Sequence, residues 1–71
     1  MTRVIDGRDM LPPEPLELTL AALDELPKGE ELVLLVYCHP RPLFEILGKL
    51  SWAWTDKVLD DGTHEIRIRW A

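Results

Sequence analysis

With 71 residues, 46% of them apolar, the chain has room for one domain, spanning 1–71, and too much hydrophobic content for a disordered segment. Lys and Arg number 8 against 13 Asp and Glu, and the net charge of −5 repels phosphates, which argues against nucleic-acid and anionic-membrane partners. A single cysteine rules out an internal disulfide, no apolar run approaches the ~18 residues of a membrane span, and Met1 to Asp6 holds no signal-peptide core. These features describe a small, acidic, soluble domain expected in the cytoplasm. A chain this short buries only about 60% of its unfolded surface, so a compact core has to carry it, helped by a partner surface.

Turn signals divide the chain into six pieces. Arg3 to Asp6 reads as a short strand through β-branched Val4 and Ile5. Gly7 and Pro12-Pro13-Glu14-Pro15 follow. Proline is tolerated in the first turn of a helix, and Glu14 and Glu17 sit where the helix dipole favours negative charge. A helix is therefore expected from near Pro13, with Leu16, Leu20, Leu23 and Leu26 as its apolar stripe and Thr19 and Ala22 beside them. Pro27-Lys28-Gly29 stops it.

Glu31 to Cys38 is almost continuously apolar, as in a central or doubly covered strand. His39-Pro40-Arg41-Pro42 breaks it, and Pro42 opens a second helix with Leu43, Ile46, Leu47 and Leu50 as its stripe. Gly48 weakens that helix by up to ~1 kcal/mol relative to Ala. Trp52 to Asp60 reads as a strand ending at Asp60-Asp61-Gly62, where Asp-Gly signals a hairpin. From Thr63 to Trp70 the pattern alternates: His64, Ile66, Ile68 and Trp70 point one way, and Thr63, Glu65, Arg67 and Arg69 the other. The order β-α-β-α-β-β predicts an α+β fold, a two-layer α/β sandwich with two helices on one face of a four-stranded mixed sheet. The first two strands are parallel and the last two form an antiparallel hairpin.

Asp6-x-Arg8, Pro12-Pro13-Glu14-Pro15, the leucine-rich helix, Pro27-Lys28-Gly29-Glu30, His39-Pro40, Asp61-Gly62 and Ile66-Arg67-Ile68-Arg69 together resemble the TusA/SirA-like sulfur-carrier superfamily. The resemblance covers nearly the whole chain. It implies sheet order 1-2-4-3 with strand 4 antiparallel to the rest. It also implies sulfur relay, in which the cysteine of a Cys-Pro-x-Pro motif carries a persulfide at a helix N-terminus. The matching positions here are Pro12 to Pro15, and Pro12, which cannot carry sulfur, stands in the place of the carrier cysteine. Asp9 stands where the family usually has glycine. The Pro-Pro-x-Pro form with His39-Pro40-Arg41-Pro42-Leu43 is more similar to an uncharacterised bacterial branch of small soluble domains, which lack the carrier cysteine and often have a histidine near the position of Cys38.

The candidate sites follow from chemistry. Pro12 to Pro15 forms a rigid helix entry, but the prolines remove backbone donors that an anion would need. Cys38 is the sole thiol, placed before a helix start that could lower its pKa; its plainer reading is a small apolar residue closing a strand. Antiparallel pairing of strands 2 and 4 is expected to bring Cys38 and His39 toward Thr63 and His64, with Asp60 and Asp61 adjoining. Cys38, His39 and His64 are then weak metal candidates, against the reading that both histidines are ordinary loop and strand residues. Trp52, Trp54 and Trp70 suit packing in the terminal hairpin, or an exposed aromatic surface, with Arg67 and Arg69 nearby, for stacking on bases. The acidic balance opposes the nucleic-acid version.

The reading that results is a noncatalytic interaction or regulatory module. It would act through the edge formed by strand C-termini and helix N-termini, at Asp9, Met10, Cys38, His39 and Arg41. The alternatives are a sulfur-transfer or redox protein using Cys38, and a small metal-binding domain. No enzyme signature is present in the sequence and no cofactor is expected. A protein partner is expected, and the second face of the apolar strand 2 is expected to be covered either by long side chains such as Tyr37, Arg67 and Arg69 or by a second copy in a weak homodimer.

Overall fold

The computed structural model describes residues 2–11 and 13–70. The elements run β1 (Thr2–Asp6), α1 (Glu14–Asp24), β2 (Glu31–Val36), α2 (Arg41–Lys49), β3 (Trp52–Val58) and β4 (His64–Trp70). They form one four-stranded sheet of order β1-β2-β4-β3, with β1 parallel to β2 and β4 antiparallel to both of its neighbours. The expected α+β sandwich and strand order are those observed. Among the described residues no helix is long and apolar enough to cross a membrane.

Strand register sorts the side chains into two faces. Ile5, Leu34, Ile66 and Asp56 lie in one row, and Arg3, Leu32, Ile68 and Trp54 in the next row on the same face. This face carries the helices. Leu23 of α1, Leu26 just beyond it, and Leu43 and Leu47 of α2 close over Leu32, Leu34, Ile66 and Ile68 to make the core. Leu16 and Leu20 pack against it half-buried. The alternation of Ile66 and Ile68 thus selects the inner face, and each fully buried aliphatic side chain contributes roughly 1.5–3 kcal/mol.

Leu50 departs from the expected α2 stripe, because it is the C-cap residue and is exposed. Ser51 then adopts a left-handed backbone (φ 64) that ends the helix and turns the chain into β3. β2 also ends two residues before the expected Cys38, since its ladder stops at Val36 and the chain bends away from the sheet into α2. Thr63, expected as the first outward residue of strand 4, lies before β4 and is buried in the turn, its N–H donating to Asp61 Oδ1 at 2.9 Å.

Among the described residues no helix lies on the opposite sheet face. Its central row is Val4, Val33, Arg67 and Thr55. Val33 is nevertheless only 5% exposed. Arg67, its register partner on β4, is tied across the face by Glu31 (3.1 Å) and along its own strand by Glu65 (3.3 Å), so its charge stays paired on this face.

Candidate functional site

Two helix starts converge beside the end of β2. Pro13 is the N-cap of α1 and Pro15 follows in its first turn; Pro40 is the N-cap of α2 and Pro42 follows in the same way. Proline presets the helical backbone at these positions but supplies no N–H. Neither N-cap side chain makes a capping hydrogen bond. The anchors are backbone contacts, Glu17 N–H to Pro13 O at 3.1 Å and Phe44 N–H to Pro40 O at 3.2 Å. Gly7 seats the β1 exit against α1, because a Cβ there would lie 3.2 Å from Pro15 Cβ and 3.2 Å from Val36 Cγ1.

Between the helix starts is a cleft of about 250 Å³. The four prolines line it with Leu16, Leu34, Val36 and Leu43, and Cys38 and His39 stand among them. Among the described residues its wall contains no Lys, Arg, Asp or Glu. With two helix dipoles directed toward it but four N–H donors missing, the cleft suits apolar matter better than an anion. Cys38 is exposed and free. Of the expected edge residues, Cys38 and His39 line the cleft, whereas Asp9, Met10 and Arg41 do not. Arg41 is exposed and reaches Glu45 one helical turn on, at 3.7 Å. Pro12 lies outside the described residues.

On the other side of His39 is a polar group. His64 Nδ1 lies 3.0 and 3.2 Å from the two carboxylate oxygens of Asp56, and His39 Nδ1 lies 3.4 Å from Asp56 Oδ2. The two imidazoles meet edge to face at 5.8 Å, His39 packs edge-on against Phe44 at 4.9 Å, and Phe44 stacks on Trp54 at 5.5 Å. The expected metal candidates His39 and His64 are thus together, but Cys38 is not in the group. β4 pairs His64 with Val36, and Cys38 lies beyond the end of that ladder. The third member is Asp56, not the hairpin carboxylates Asp60 and Asp61. Counting on in twos from Trp52 and Trp54 reaches Asp56, so strand alternation held a signal for its face.

The tryptophans lie on the helix side. Trp52 is buried and stacks on Trp70 at 4.1 Å, and the Trp70 indole N–H donates to Leu26 O at 3.1 Å. Arg67 and Arg69 are on the opposite face, so the structure does not combine them with the tryptophans into one basic, aromatic surface.

Residues 4–70 match the model of DUF2249, described as an uncharacterized conserved protein family. The chain is also similar in structure to the SirA-like protein of Desulfitobacterium hafniense, with a TM-score of 0.82 at 22% identity over 96% of this chain and 95% of that one. At that identity the likeness concerns the fold. None of the curated proteins matches the sequence. With nearly its whole length matched, this chain belongs to the DUF2249 family and carries the SirA-like fold.

Proposed function

We propose that the chain is a noncatalytic interaction module that holds an apolar segment of a protein partner in the cleft between its helix starts. The observation that carries this reading is the proline lining of that cleft: Pro13, Pro15, Pro40 and Pro42 make its mouth rigid, apolar and poor in donors. A preorganised apolar surface loses little entropy on binding. Pro12 at the relay position fits a scaffold of sulfur-carrier type used for contact and not for chemistry. The test is site-directed photo-crosslinking in cells. A photoreactive residue at the cleft positions Pro13 or Pro42 should yield a discrete protein adduct, and the same residue at Lys28, beyond the far end of α1, should not. Equal labelling from all three positions, or none from the cleft, defeats the reading.

A second reading rests on one observation, the exposed Cys38 at the cleft wall. Here the Cys38 thiolate attacks the terminal sulfur of a donor persulfide, a new S–S bond forms on Cys38, and the donor thiolate leaves. Intact-mass measurement after incubation with a low-molecular-weight persulfide separates the two. A one-sulfur increase that disappears in Cys38→Ser favours relay, and an unchanged mass favours the noncatalytic module.

A further inference from the structure

We infer that His39, Asp56 and His64 form a binding site for a divalent transition-metal ion of the zinc class. The three side chains come from three places: the turn before α2, the edge strand β3 and the start of β4. Each offers a ligand atom within 4.8 Å of the other two. Both histidines present the same ring nitrogen, Nδ1, to one carboxylate, at 3.0–3.4 Å. Donor atoms about 2.0–2.2 Å from a tetrahedral ion stand roughly 3.3–3.6 Å apart. The group could therefore close on an ion with only small side-chain shifts.

The setting supports the assignment. Asp56 occupies the inner-face row otherwise made by Ile5, Leu34 and Ile66, an unusual place for a carboxylate whose ion-pair partners there are the two imidazoles. The Asp56 and His64 side chains are largely shielded, whereas His39 is 57% exposed. A metal would thus enter from the His39 side, with its remaining coordination positions open to solvent. Two imidazoles and one carboxylate select zinc, cobalt, nickel or copper(II) over magnesium and calcium, which prefer all-oxygen shells. The net charge of −5 draws cations to the surface. The site does not depend on the cleft reading, since it uses neither the apolar wall nor Cys38.

The test is titration of tag-free, chelator-treated protein with zinc by calorimetry, and with cobalt(II) by visible absorption. One equivalent of each should bind, and magnesium at the same concentration should not. His39→Ala and Asp56→Asn should each weaken zinc binding by more than about tenfold, the lower end of what even outer-shell changes cost. Cys38→Ser should leave the affinity unchanged, and cobalt should show no thiolate charge-transfer band. Because His39 is exposed, His39→Ala should stay folded even where a His64 substitution disturbs the strand. Absence of saturable zinc binding, equal binding of magnesium, binding that survives His39→Ala and Asp56→Asn, or binding lost in Cys38→Ser would each overturn the assignment.

Discussion

At the residue scale, the Asp6-x-Arg8 pair has a local explanation. The Arg8 guanidinium donates to both Asp6 oxygens, at 2.9 and 2.8 Å, and the Arg8 backbone N–H adds a third bond at 3.2 Å. These hydrogen bonds hold the Asp6 carboxyl down at about 2. The folded value lies below the unfolded one, so the pair's stabilising effect is present above about pH 4 and fades as pH falls toward 2. In Arg8→Ala, a carboxyl-detected NMR titration should place Asp6 near the ordinary value of about 4. Both side chains are partly exposed, so the change in global stability should be slight. Leu47 is the opposite case. It is completely buried in the core, and Leu47→Ala should cost about 2–5 kcal/mol in urea unfolding. Leu20, half-buried, should lose less on the same substitution.

At the scale of elements, α2 is the weak member and positions the most chemistry. It has nine residues, starts at an N-cap proline without a side-chain cap, and contains Gly48. A Cβ at Gly48 would meet Trp54 at 3.8 Å, an ordinary contact, and the position is exposed. Gly48→Ala should therefore stabilise the protein by about 0.5–1 kcal/mol, through lower unfolded-chain entropy, and raise the denaturation midpoint. Phe44 links this helix to the Asp56 group, packed between His39 and Trp54. Firming α2 should sharpen the His39 geometry without changing its partners.

For the whole molecule, the open sheet face is the main unassigned surface. Val33 is nearly buried between Val4 and the paired Arg67, but Val4 on the edge strand β1 remains 61% exposed. A second copy packed on this face would shield Val4 and the row beside it. The expectation is a weak homodimer, visible as a concentration-dependent rise in sedimentation coefficient and suppressed by Val4→Lys. A single monomeric species at high protein concentration would remove the dimer.

Element order, helix stripes and the inner face of β4 were legible in the chain because they depend on local spacing. Leu16, Leu23, Leu43 and Leu47 fall on helical periods, and Ile66 and Ile68 on a strand period, wherever the segments end up. The resemblance carried by the short motifs added the strand order. The position of the cleft and the histidine group was less visible. Whether Cys38 or Asp56 joins His39 and His64 depends on where the β2 ladder stops, and tertiary closure sets that when the chain leaves Val36 for α2. Alternation from Trp52 and Trp54 gave the face of Asp56 but not its partners. The placement of Arg67 beside Val33 likewise depends on Glu31 of β2 and Glu65 of β4 both reaching its guanidinium. Sequence periodicity therefore determined which faces are apolar, while the packing of distant segments decided which polar side chains share a site.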